Sequence, residues 1–161
     1  MIKGAWGSCS HGLAVIAASL WVGGMWAVGY LAVPLLFHAL AQDRMLAGEL
    51  AGGLFRGMAY AGVVCALYLL PYLAWRSGRK VLGLGMFRVI VVMLLLTLLG
   101  RFGFQPAMAQ LKAQALPLDV MHSEFASRFS MLHGAASIAY LLQSLLGIVL
   151  LLKLHALRPA T

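Results

Sequence analysis

Two histidines, His122 and His133, flank the start of the last apolar run of the chain, and imidazole is both a metal ligand and a proton carrier. On a helix they share a face with Phe129, Ala136, Tyr140 and Gln143 or Ser144, a polar and aromatic stripe expected to point into a bundle. A rise of about 1.5 Å per residue sets the two imidazoles about 16 Å apart, too far to hold one ion. At most one of them can join His38, near the far end of the first apolar run. Met45, Met108, Met121 and Met131 fall at similar depth, and thioether with imidazole is a ligand set suited to Cu(I). The metal reading therefore names His38, His122, His133 and Met121. The alternative needs no metal: the methionines fill space and His133 hydrogen-bonds inside the bundle. A haem would require two axial ligands at one depth on facing helices, and His11 has only His155, in the tail, as a counterpart.

The apolar runs contain no Asp or Glu, the groups that proton-coupled carriers place in the membrane, so secondary transport is disfavoured. No nucleophile and base pair, phosphate loop or dinucleotide fingerprint occurs either. The expectation is an integral membrane protein that is not an enzyme, has no cofactor and packs against or interacts with itself, lipid or a partner protein, with copper or haem binding through the outer-side His and Met residues as the alternative. A subunit of an oligomeric transporter or channel is the second alternative. Thr97 and Ser19 are expected to bond back to helix carbonyls one turn earlier.

These side chains must be held by something that lives in lipid. Of 161 residues, 63% are apolar and 10% charged, with a mean hydropathy of +0.93. Soluble domains carry about 25% charged residues, so a soluble fold is excluded. Cys9 and Cys65 are too few and too far apart for a disulfide framework or a zinc ribbon. The net charge of +8 sits at the borders of the apolar runs and forms no basic face, which favours membrane lipid over nucleic acid as partner.

Between Lys3 and Asp43 lie 39 residues without Asp, Glu, Lys or Arg, between Arg56 and Arg76 another 19, and between Arg128 and Lys153 another 24. A bilayer core needs about 20 apolar residues as helix, so each is a span. The fourth run holds Arg88 and Arg101, each expected about a turn from an interface with its guanidinium reaching the headgroups. The first run continues through Trp26 to Phe37, beyond a signal-peptide core, and is expected to be retained. The fold expected is all-α: one polytopic transmembrane domain over residues 1–161, an antiparallel up-down-up-down four-helix bundle with spans at about 11–40, 54–75, 82–106 and 129–153. Lys3, Arg76, Arg79, Lys80, Lys153 and Arg158 fall on one side, and all four acids, Asp43, Glu49, Asp119 and Glu124, on the other. The positive-inside rule then puts both termini in the cytoplasm and the chain in the cell (inner) membrane. Helices are expected to extend past the membrane on the outer side. Asp43 is a plausible cap for the second, and a fourth of about 35 residues is expected from Asp119 with a Glu124–Arg128 pair.

Gly53, Gly57, Ala61 and Cys65 recur every four residues, a small-residue stripe that lets backbones approach closely. Packing within the chain is its first reading, and contact with a second copy or a membrane-protein partner the other. Pro34 removes one backbone donor and crowds the Tyr30 carbonyl, so a kink is expected there. Trp6, Trp75 and Tyr72 are expected as interface anchors.

Three segments together carry a likeness to a known family. The run Leu20-Trp21-Val22-Gly23-Gly24-Met25 is followed by Val33-Pro34-Leu35-Leu36-Phe37, then by Ala47-Gly48-Glu49-Leu50-Ala51-Gly52-Gly53-Leu54-Phe55-Arg56, and later by Phe129-Ser130-Met131-Leu132-His133-Gly134, with Pro106 between. In order and spacing they resemble the small bacterial family, a domain of unknown function numbered 4149, related to eukaryotic transmembrane protein 205. The resemblance implies a four-helix integral membrane protein with no established biochemical role and carries over no catalytic residue. The family's Leu-His-Gly motif continues with a small hydroxyl residue and an amide, where this chain has Ala136 and Tyr140. His11 followed ten residues later by Trp-Val-Gly-Gly is also similar, as a fragment, to the copper-resistance D family and the membrane-bound protoporphyrinogen oxidases.

Overall fold

The computed structural model describes residues 2–156, without the side chains of residues 2–8 and 79. The side chains of Lys3, Trp6 and Arg79, and the whole of Arg158, lie outside the described residues. Four helices are long and apolar enough to cross a membrane: Cys9–Ala39, Arg44–Ser77, Gly85–Ala115 and Ala126–His155. In lipid every backbone donor must be met within the chain, which a helix achieves by itself.

The first and third spans are not uniform helices. Helix α1 (Ile2–Trp26) passes through a wide π turn, Ala27–Ala32, into α2 (Val33–Ala39). Helix α4 (Gly85–Leu98) passes through a second, Leu99–Phe104, into α5 (Gln105–Ala115). The second span is the single helix α3 (Arg44–Ser77) and the fourth is α6 (Ala126–His155). At Pro34 the sequence reading expected a kink, and the structure has a wide turn ending beside the proline.

The second helix starts at Arg44, where the Asp43 carboxylate accepts from Leu46 N at 2.9 Å, as expected. The fourth differs: it has 30 residues and begins at Ala126. Asp119 caps only a short 3-10 turn, Val120–His122, accepting from Met121 N at 2.8 Å, and Ser123 Oγ accepts from Phe125 N at 3.2 Å. These side chains satisfy nearby backbone donors in non-helical geometry and stop the helix from starting earlier. Glu124 therefore precedes the helix, and no Glu124–Arg128 ion pair forms among the described residues.

Short connections force antiparallel neighbours, and α6 closes the ring by packing on both α4 and α1. The buried core lies at the end that holds the termini: Ala14, Ala18 and Trp21 of α1 meet Leu69 and Leu73 of α3, Ile90 and Met93 of α4, and Leu150 and Leu154 of α6. Tyr72, expected as an interface anchor, is buried there, 3.0 Å from His11 Nδ1 through its hydroxyl. Trp75 is 74% exposed, as an anchor would be.

Close glycine contacts fix the helix spacing, and they are not the ones the four-residue spacing picked out. A Cβ on Gly62 would stand 2.5 Å from Trp21 Nε1, and one on Gly147 3.0 Å from Val22 Cγ1. Gly53 and Gly57 would meet nothing within 4 Å, and with Ala61 they are exposed. The first three positions of the stripe therefore face outward, and only Cys65, half-buried against the core, packs within the chain.

Candidate functional site

Above the packed end the four spans part around a cavity of about 460 Å³. Trp21 and Met25, almost fully buried, belong to its lining, and Tyr30, 50% exposed, carries the lining to the perimeter. Both wide turns contribute wall: Gly29 and Tyr30 from the first, Gly100, Arg101 and Phe104 from the second. The extra residue in each turn changes the register of side chains after it, and such turns often mark functional positions. The prolines explain the placement. Val33 N, just before Pro34, bonds the Val28 carbonyl, and Gln105 N, just before Pro106, bonds that of Gly100, so in each the bond spans five residues. A proline cannot make the next bond and its ring crowds the preceding turn, which a widened turn accommodates.

One wall is aromatic. Phe55 meets Tyr140 edge to face with centroids 5.3 Å apart, and Tyr140 meets Tyr30 likewise at 6.1 Å. Their polar ends are tied down. The Tyr140 hydroxyl donates to the Met25 carbonyl, Tyr30 donates to Ser144 Oγ at 2.9 Å, and Ser144 donates to the Tyr140 carbonyl at 2.9 Å. Deeper in, Gln143 Nε2 donates to Thr97 Oγ1 at 2.7 Å, and Thr97 bonds back to the Met93 carbonyl as expected. Ser19 makes no such bond; it is exposed, with none recorded among the described residues. The stripe on α6 thus points into the bundle through Tyr140, Gln143 and Ser144, which cross-link α6 to α1 and α4.

Arg101 stands apart. Its Nη2 donates to the Tyr60 hydroxyl at 3.1 Å, and its guanidinium carbon lies 5.5 Å from the Tyr60 centroid and 5.2 Å from that of Phe102. Its Nε is enclosed and, among the described residues, is the one buried side-chain nitrogen or oxygen without a hydrogen-bond partner. The sequence reading placed this guanidinium among the headgroups. Tyr60 holds it beside the cavity, while Arg88 is exposed.

The candidate histidines lie at the surface of the bundle. His38, His122 and His133 are all exposed, and no group of three or more His, Cys, Asp or Glu side chains gathers among the described residues. His133 lines the cavity but stacks on Phe129, with centroids 6.0 Å apart and planes at 9°, and its ring makes no hydrogen bond among the described residues. The hydrogen-bonded imidazole expected inside the bundle is therefore a stacked one at its edge, because Phe129 one turn earlier offers a flat apolar face. Met121, exposed, meets Ser130 Oγ through its sulfur at 3.9 Å. His155 is exposed at the end of α6, and His11 is engaged by Tyr72.

Of the family-motif positions, Phe55 and His133 line the cavity, and a Cβ on Gly24 would stand 2.9 Å from Met58 Sδ, itself a lining residue. Pro34 and Pro106 end the wide turns. Gly23 and Gly134 border open space, and Phe37 and Arg56 are exposed. Sequence reasoning missed Arg101 as a wall residue; the signal was an arginine inside an apolar run with no acid within reach.

No curated protein and no solved structure matches the chain. A family model described as a domain of unknown function, DUF4149, matches residues 16–117. The matched stretch runs from α1 through the end of the third span and contains both wide turns, Phe55 and Arg101, while the Leu132-His133-Gly134 motif lies beyond it. The likeness to transmembrane protein 205 and to the copper-resistance D family stays one of motifs. With more than half of its length matched and four apolar helices long enough to span, the chain belongs to the DUF4149 family.

Proposed function

We propose that the protein is a non-enzymatic integral protein of the cell's inner membrane that binds an amphiphilic molecule between its four spans, with both termini in the cytoplasm. The observation that carries this reading is the cavity of about 460 Å³, within the roughly 300–1,000 Å³ range of ligand pockets and lined mostly by apolar and aromatic side chains with a few polar groups. Acyl chain and aromatic wall match in character, and Arg101, beside Tyr60 at the perimeter, supplies a polar end. The lack of any carboxylate in the apolar runs favours binding over proton-driven transport. Orientation rests on the basic residues flanking the termini and the second connection, opposite all four acids.

The test uses a protein whose only tryptophan is Trp21, made with Trp6→Phe, Trp26→Phe and Trp75→Phe, in a non-ionic detergent. A brominated acyl amphiphile should quench Trp21 fluorescence saturably, and Ala136→Phe, which fills the cavity from α6, should abolish the saturable part. Quenching that never saturates, or is the same in both proteins, overturns the reading.

A further inference from the structure

We propose that the cavity selects an anionic head, a carboxylate or phosphate carried on an acyl chain, and that Arg101 is the residue that receives it. The inference rests on the cavity reading above and deepens it. Arg101 lies inside the third membrane-crossing helix, in the wide turn Leu99–Phe104, where a charge is costly unless it is paired or serves a site. Its natural counter-ions are missing: the only acids of the chain, Asp43, Glu49, Asp119 and Glu124, lie at or beyond the helix ends or in the first turns of α3, and none pairs with it among the described residues. A guanidinium has five donors in a rigid fork. Only Nη2 to Tyr60 is recorded among the described residues, and the enclosed Nε has no acceptor. The chain thus supplies the cation and leaves the anion to a ligand.

The surroundings favour a chain-bearing anion over a free one. Tyr60 and Phe102, 52% and 66% exposed, flank the guanidinium by their ring faces on the perimeter, while the other side of Arg101 lines the cavity. Away from it the lining is mostly apolar, with Trp21, Met25 and Leu96, and its polar Thr97 and Gln143 bond each other, so a tail fills the space and a hydrated inorganic anion does not. A carboxylate or phosphate ester meets the arginine fork with two parallel hydrogen bonds, stronger than any a neutral head can make. Tyr60 is then a positioning residue: it holds the side chain at the wall through a hydroxyl and a ring face.

The Trp21-only protein is titrated at alkaline pH with four brominated probes of one chain length: a fatty acid, a lysophosphatidate, a fatty alcohol and an alkylamine. We expect one or both acids to bind about tenfold or more tighter than the alcohol, and the amine weakest, because the fixed charge attracts one sign and repels the other. Which acid binds better tells a carboxylate source from a phosphate source. Arg101→Gln should erase the preference while the alcohol still binds, and Arg101→Lys should restore part of it. Equal binding of acid and alcohol, or an amine that binds as well as the acids, overturns the anionic head and leaves the cavity reading standing, and both comparisons need only the native arginine. Failure of all four probes to quench saturably overturns the cavity reading and this inference with it.

Discussion

At Gly62 an added methyl would stand 2.5 Å from the indole nitrogen of Trp21, whereas at Gly57 it would meet nothing within 4 Å. Gly62→Ala is therefore expected to lower the midpoint of unfolding in an SDS titration, with a loss of about 1–3 kcal/mol, because a large buried ring has nowhere to move. Gly57→Ala should leave the midpoint unchanged or raise it slightly, by up to about 1 kcal/mol of helix propensity. Equal effects at the two positions would defeat the packing account. The contrast also marks where the sequence misleads. Gly53, Gly57, Ala61 and Cys65 repeat every four residues and read as a contact stripe, while Gly62 has only Ala66 as a small companion at that spacing. On a membrane helix both faces are apolar, so periodicity finds a stripe without saying whether a neighbour covers it. Arg101 was legible as an anomaly, a charge in an apolar run, but its direction depended on the Tyr60 hydroxyl of another helix.

Three of the spans were readable from the gaps between charges, and the start of the second helix from Asp43; the wide turns were not. A π turn has the composition of the helix around it, and only the proline that follows gives it away. Pro34 and Pro106 each sit two residues after such a turn, on the two spans that do not follow one another in the ring. Replacing the proline returns a backbone donor and lets the turn relax toward α geometry, rotating its residues by up to about 100° per residue of register. Pro106→Ala should accordingly keep the helical circular dichroism of the parent yet weaken quenching of Trp21 by the brominated fatty acid about threefold or more, as Arg101 and Phe104 leave the wall. Unchanged quenching would mean that the wide turn is not what places Arg101.

For the molecule as a whole, the lengths of the apolar runs gave the number of spans, because the hydrophobic thickness of a bilayer sets helix length in advance. They could not give the division into a packed end and a hollow end, which depends on where large side chains such as Trp21, Met93 and Leu150 meet. The orientation is open to a direct check in a background with Cys9→Ser and Cys65→Ser. On intact cells a membrane-impermeant maleimide should label Glu49→Cys, and it should reach Ser77→Cys only after the membrane is opened. Labelling of both from one compartment would refute an odd number of crossings between them.

Trp21 belongs to both ends of the bundle. Its indole is keyed by Gly62 in the core, and it also forms part of the cavity wall. A guest resting on that ring braces the very side chain on which the scaffold is seated, and any molecule that prefers the folded form raises its resistance to heat. On the proposed binding, occupancy and durability are joined through one indole, and the loaded protein is expected to outlast the empty one on warming.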